Sequence, residues 1–296
     1  MTNEQIIILR TNKFDDRHEF ICNRLSTIKG FDFCVAVDET SGAVPIPGRF
    51  IKIVIDKDFM TQENLPLAEK AGWACGDYFI YASMLSRRPY RHYWMIEPDV
   101  FLRFEDENEF FSLFDDHAEV DFIAAGYDRA YPGWVWSNTM SAYGLPVYGC
   151  LFPVVRISWG AANYLLDKRR APLPGQKLGI EDYPNDEVFC ATMLTDAGFN
   201  CRNINSFGRH LTSIETFGIR RPYPYNYLRR GFKDGMIYHP AVSSPVLFYK
   251  FKHIIEEGGG EDLAFAATHL PHSKDDLSHE EHALLISLLN EKLNLS

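Results

Sequence analysis

Short apolar runs alternate with longer stretches of helical spacing over the first 170 residues of the chain. Ile6-Ile7-Ile8-Leu9 predicts a buried strand, a polar loop follows at residues 11–16, and residues 17–29 carry helical spacing. Residues 31–37 predict a second strand running into Asp38-Glu39, and residues 51–55 a third, with a Gly- and Pro-containing loop at 41–48 between them. Residues 65–86 have the spacing of one long helix leading into a fourth strand around Tyr93. Beyond it, residues 105–116 read as a helix, 120–125 as a fifth strand, 147–157 as a further strand interrupted by Pro153, and 158–168 as a helix. Strands that alternate with helices predict a mainly parallel sheet covered by helices. The stretch 171–176 reads as a linker. Near the end, residues 278–293 form an amphipathic pattern with Ala283, Leu284, Leu285, Leu288, Leu289 and Leu293 on one stripe. That stripe is expected to pack on its own domain, with a homo-oligomer or peripheral membrane contact as its other use.

With 296 residues, 46% of them hydrophobic, the chain can bury a substantial core in one large or two small domains. Its 30 basic and 40 acidic side chains leave a formal charge of -10, which argues against nucleic-acid binding, so any anionic substrate must be met by local cations. The six cysteines form no C-x-x-C pair and sit mostly in apolar runs, as reduced core residues do. The first apolar run is too short for a signal peptide, and no stretch reaches the ~20 apolar residues of a membrane span. A cytoplasmic location is expected, extending to the inner face of a membrane if the last helix lies on one.

Candidate chemistry begins where the run His92-Tyr93-Trp94-Met95-Ile96 stops at Glu97-Pro98-Asp99. Proline removes a ladder donor, so the strand leaves the sheet there. Ligands of open α/β sheets bind at the carboxyl ends of strands, and two oxygen ligands at such a place suit a hard divalent cation that in turn holds a diphosphate. A second acidic cluster, Asn185-Asp186-Glu187, has an N-cap residue followed by acids in the first helical turn, where the helix dipole alone already favours them. The loop containing Tyr131, Trp134 and Trp136 offers either core packing or flat faces for a sugar ring. The segment 209–230 concentrates Arg209, Arg220, Arg221, Arg229 and Arg230 with Tyr223, Tyr225 and Tyr227, as a solvated loop or a phosphate-gripping surface. His239 closes the short apolar run 235–238.

Taken in order, the strand and helix pattern, the Glu97-x-Asp99 strand end, the Asp186-Glu187 helix start and the late His239 resemble a glycosyltransferase of the GT-A fold over residues 4–240. The resemblance implies an α/β, GT-A-like (Rossmann-like) architecture: a mixed, mainly parallel sheet flanked by helices, with a C-terminal helical extension. It implies a catalytic domain at 1–250, with a nucleotide-binding half at about 1–103 and an acceptor half at about 104–250, followed by the extension at 251–296. The implied activity is metal-dependent and hexosyltransferase-like. A sugar passes from a nucleotide-sugar donor to a hydroxyl of a carbohydrate or glycolipid acceptor, in polysaccharide or glycoconjugate synthesis, with manganese or magnesium as cofactor. On the matching positions, Asp99 and His239 are metal ligands, Glu97 contacts the ribose or a metal-bound water, and Arg10, Thr11 and Asp38 line the nucleotide pocket. Asp77 is placed either against the donor or on a helix surface. Glu187 is the first choice of base and Asp186 the second; the two acids stand in the reverse of the family's order, which leaves the choice between them open, and Glu97 stands where the family motif has Asp. A sugar-phosphate nucleotidyltransferase is disfavoured by the glycine-free loop 11–17. A metal-dependent hydrolase on Glu97, Asp99, Asp182 and His239 is disfavoured by the lack of H-x-H or H-E-x-x-H spacing. A non-catalytic carbohydrate-binding protein of the same fold is the remaining alternative.

Overall fold

The computed structural model describes residues 3–66, 71–171 and 183–293. In chain order its elements are β1 (Gln5–Thr11), α1 (Asp16–Leu25), β2 (Phe31–Asp38), β3 (Lys52–Ile55), α2 (Lys57–Gln62), α3 (Ala71–Ala74), α4 (Asp77–Ser86), β4 (His92–Ile96), β5 (Phe101–Leu102) and α5 (Glu107–Ser112). They continue with β6 (Phe122–Arg129), β7 (Tyr148–Ser158), α6 (Trp159–Arg170), α7 (Asp186–Asp196), β8 (Cys201–Asn203), β9 (Tyr223–Pro224), α8 (Tyr225–Arg230), β10 (Ile237–Tyr238), β11 (Ala241–Val242), α9 (Val246–Glu257), α10 (Gly260–His269) and α11 (His279–Lys292). Two compact units result, Met1–Pro98 with Phe111–Arg209, and Asp99–Phe110 with His210–Ser296. Among the described residues, no helix is long and apolar enough to cross a membrane.

The first unit is built on a seven-stranded sheet of order β3-β2-β1-β4-β7-β6-β8, in which β7 alone runs against its neighbours. This is the mixed, mainly parallel, helix-flanked sheet expected from the sequence. Ile6 to Leu9 are buried throughout because both faces of the central strand are covered, which is why the run is continuous rather than alternating. One face meets α4, α6 and α7 through Ile8, Met95, Tyr78, Leu165 and Phe189. On the other, the Trp94 ring meets Phe111 and Phe114 edge-on. All six cysteines are free, five of them buried, and burial pushes the Cys34 and Cys75 thiols up to about 12.

Two elements differ from the sequence expectation. Pro153 does not interrupt its strand. The register between β6 and β7 slips there, from Ala124↔Val155 to Ala125↔Leu151, so a residue without an N–H sits at a bulge while its carbonyl accepts from the Glu97 amide at 2.8 Å. The long helix expected over 65–86 is two, α3 and α4, parted at Cys75-Gly76, because the Gly76 amide is turned to the Asp186 carboxylate at 2.7 Å. The linker expected at 171–176 and the acids Glu181 and Asp182 lie outside the described residues, apart from Ala171.

A buried ion pair ties α4 to α6. Asp77 is engaged at both oxygens by Arg169, at 2.7 and 3.2 Å, and by the Tyr81 hydroxyl at 2.9 Å. Arg169 also donates to the Pro184 carbonyl at 2.8 Å and lies 3.7 Å over the Phe189 ring, so the same guanidinium fixes the approach to α7. Asp77 is thus neither on a helix surface nor open to a ligand.

The second unit pairs β5 with β10 antiparallel and β9 with β11 parallel. Its own core is Leu247, Phe251, Ile254, Leu270, Leu285 and Leu289, contributed by α9, α11 and the turn between α10 and α11. Leu285, Leu288, Leu289 and Leu293 of the α11 stripe therefore pack within its unit while Ala283 and Leu284 are exposed, and a Ser278/Glu281 capping box starts that helix. α9 and α10 are not among the elements the apolar pattern predicts. Much of the Arg-rich segment is neutralised locally, with Arg220 and Arg221 on Asp262 at 3.0 and 2.9 Å and Arg230 on Asp275.

Removing one partner of a buried pair strands a charge. Asp77→Ala should lower unfolding stability by about 3–5 kcal/mol in urea titrations, and the Asp77→Leu, Arg169→Met double variant should lose less than the single one.

Candidate active site

The site residues of the first unit gather at the carboxyl edge of the sheet because of strand register. Leu9 pairs with Ile96, so the next residue of each strand, Arg10 and Glu97, emerges on the same side. Arg10 makes a short ion pair with Glu97 and reaches Asp186 at 3.4 Å. Arg17 donates to the Pro98 carbonyl at 2.9 Å, holding the chain where β4 leaves the sheet.

The start of α7 is brought to the same edge. Asn185 caps it by accepting from the Val188 amide at 3.2 Å. Asp186 is buried, taking the Gly76 amide at 2.7 Å on one oxygen and the Glu187 amide at 2.8 Å on the other. Gly76 is required here, since a Cβ at that position would collide with the Arg10 guanidinium and the Asp186 carboxylate. Burial pushes the Asp186 carboxyl upward, against the pull of Arg10 and the Gly76 amide.

Glu187 differs from its neighbour. It is half-buried rather than buried, and it accepts from the Asn185 side-chain amide at 3.4 Å and from the Phe152 backbone. Burial, with the nearby negative charge of Glu97, raises its pKa to about 7. A carboxylate that titrates at neutral pH beside an arginine is equipped to take a proton from a hydroxyl.

Two nucleotide-pocket candidates sit apart from this network. Thr11 closes its own turn by donating to the Lys13 carbonyl at 2.6 Å. Asp38 accepts from the Thr40 amide and hydroxyl at 2.9 and 2.6 Å, and Gly72 packs so closely against it that a Cβ would overlap its carboxylate.

In the second unit, Asp99 and His239 are neighbours: Nε2 of His239 lies 3.5 Å from Oδ1 of Asp99. The chain brings them together where the Ala241 amide donates to the Asp99 carbonyl at 2.7 Å. Nδ1 of His239 lies 2.6 Å from the Gly218 carbonyl. A carbonyl only accepts, so Nδ1 carries the proton and Nε2 turns a lone pair toward Asp99. That is the donor arrangement of metal-binding histidines, and the separation suits two ligands of one small divalent ion, each ~2.1 Å from it. Lys250 lies within electrostatic range of Asp99. It donates to the Ile219 carbonyl at 2.6 Å, and burial lowers its pKa while Asp99 opposes the shift. With Arg220, Tyr249 and His253 it lines an open cavity of about 700 Å³. Lys250 was not among the sequence candidates because it sits on α9, which the apolar pattern does not single out.

The mixed, mainly parallel sheet, with one reversed strand and carboxylates at its carboxyl edge, is the α/β architecture expected from the sequence. No family model and no curated protein matches the sequence. Among solved structures, the chain is similar to a glycosyltransferase involved in the glycosylation of the major capsid of PBCV-1, at 10% identity and a TM-score of 0.39 over 84% of this chain and 98% of that one. It is also similar to mouse xyloside xylosyltransferase 1 in its apo form, at 13% identity and a TM-score of 0.35 over 79% of this chain and 97% of that one.

Because the fold holds the Glu187 proton more tightly than the unfolded chain does, its contribution to stability is complete below the ordinary carboxyl value of 4.5 and is lost as pH rises toward about 7. Glu187→Gln should therefore match the wild type in urea unfolding at pH 4 and exceed it by ~2 kcal/mol at pH 8.

Proposed function

We propose that the protein is a metal-dependent glycosyltransferase that moves a sugar from a nucleotide-sugar donor to a hydroxyl acceptor. The observation that carries this reading is Glu187, a carboxylate raised to about 7 at the capped start of α7 and set beside the Arg10 network. Loss of a nucleoside diphosphate leaves the sugar carbon short of electrons, and an acceptor hydroxyl must shed its proton as it attacks. Glu187 takes that proton. Asp186 is the positioning partner, since its oxygens are held by Gly76, Arg10 and the Glu187 amide.

Asp99 and His239 are the residues that would hold the cation, through the Asp99 carboxylate and the Nε2 lone pair of His239. A manganese or magnesium ion bound there would supply positive charge to the departing diphosphate. Lys250 adds a protein cation near Asp99. Arg10, Thr11, Asp38 and Glu97, all at strand ends of the first unit, are the proposed contacts to the nucleoside.

Three measurements test this. Nucleoside diphosphates with manganese should raise the melting temperature by roughly 5 °C at saturation. Asp99→Ala and His239→Ala should each abolish the manganese-dependent part of that rise. Glu187→Gln should keep the shift but lose about 10²–10⁴-fold in turnover, whereas wild-type turnover should climb as pH passes through about 7. Absence of any metal-dependent shift with every nucleotide would remove the transferase reading.

A further inference from the structure

The helix α9 has two faces. Leu247, Phe251, Ile254 and Ile255 are buried and belong to the core of the second unit. Val246, Tyr249, Lys250 and His253, spaced i, i+3, i+4 and i+7, share the other side. With Ile219 and Arg220 they line the open cavity of about 700 Å³. Three of these six residues are apolar and yet exposed, Ile219 at 69%, Tyr249 at 65% and Val246 at 41%. The other three are basic, and no acid is among the described lining residues.

The walls of the cavity are fixed to one another. Lys250 donates to the Ile219 carbonyl at 2.6 Å, which ties α9 to the segment 218–220. That segment is held in turn by His239, whose Nδ1 lies 2.6 Å from the Gly218 carbonyl and whose own carbonyl accepts from the Gly218 amide at 3.1 Å. Asp262 pairs with Arg220 and Arg221 at 3.0 and 2.9 Å but is buried, whereas the Arg220 side chain is 52% exposed, so solvent meets the cation rather than the acid. The exposed Glu261 pairs with Arg221.

Covering exposed apolar side chains is favourable, and a concave surface that mixes them with cations selects a ligand with an apolar part and an anionic part. A neutral sugar lacks the charge, and a free nucleotide lacks the apolar chain. A phospholipid at a bilayer surface has both. Lysine and arginine take its phosphate, while a tyrosine ring sits at the boundary between acyl chains and water. The formal charge of -10 does not prevent the contact, because acids farther than ~8 Å from the surface are screened at physiological ionic strength.

We propose that the α9 cavity is a membrane-contact site that seats the phosphate of an anionic phospholipid, with Ile219, Val246 and Tyr249 entering the bilayer interface. The site is distinct from the α11 stripe, and it does not depend on the reading of Glu187 as base.

The full chain, without donor or metal, is sedimented with vesicles of phosphatidylcholine alone or mixed in equal parts with phosphatidylglycerol. It should pellet with the mixed vesicles, far less with phosphatidylcholine, and return to the supernatant as salt is raised. Ile219→Ser and Tyr249→Ala should each weaken partition roughly tenfold, and Lys250→Gln roughly fivefold. Leu284→Ser, on the exposed side of α11, should leave it unchanged. Because Ile219 and Tyr249 are exposed, their variants should melt close to the wild type, which separates lost binding from lost folding. No pelleting, equal pelleting on both vesicles, or a loss in Leu284→Ser without one in Tyr249→Ala would overturn the site. Stabilisation by inorganic phosphate or pyrophosphate without vesicle binding would replace the lipid by a free anion. A dimer abolished by Tyr249→Ala, again without vesicle binding, would give the surface to a second copy and overturn the proposal equally.

Discussion

One buried guanidinium organises the chemistry of the first unit. Arg10 bridges Glu97, at the end of β4, and Asp186, at the start of α7, two carboxylates that the chain separates by 89 residues. With Glu187 included, three acids share that arginine, and burial makes each unpaired negative charge expensive. Burial raises the proton affinity of both acids at the start of α7. Glu187 keeps its proton up to about 7, and so a structural constraint becomes a carboxyl group that titrates at neutral pH.

The arrangement works because the start of α7 is fixed from two directions. Gly76 holds Asp186 from α4's side, and Arg169 holds the Pro184 carbonyl just ahead of the Asn185 cap. Arg169 stays charged in the core because the Asp77 carboxylate, itself engaged by the Tyr81 hydroxyl, offsets the cost of burial. Asp77, an acid beside a glycine-bounded turn, therefore serves the frame that fixes the start of α7. The second unit repeats the logic on a smaller scale: the Gly218 carbonyl sets the proton of His239, and the segment around Ala241 sets its distance from Asp99.

Much of the frame was legible in the chain. The continuous apolar runs of β1 and β4 announced strands buried on both faces, Pro98 announced the strand end, and Asn185 announced the helix start, because each rests on local backbone chemistry. Where local signals competed with distant partners, they failed. The spacing of 65–86 suits one helix, yet a carboxylate 110 residues away claims the Gly76 amide and divides it. Pro153 looked like a break, but a bulge absorbs it. The basic segment 209–230 could be read as a solvated loop or a phosphate-gripping surface, and it took the structure to show that Asp262 and Asp275 occupy Arg220, Arg221 and Arg230.

By itself, then, the sequence determined most strands of the large sheet and several of its helices, and that acids gather where a parallel sheet presents its carboxyl edge, since periodicity, proline and capping act over a few residues. Only the tertiary structure decided what each acid does. Asp77 and Asp186 are both held by buried partners, whereas Glu187 is left half-buried; burial raises the proton affinity of Asp186 and Glu187 alike. Proton affinity depends on burial and on charges brought close by folding, and neither quantity is a property of the residue's place in the chain.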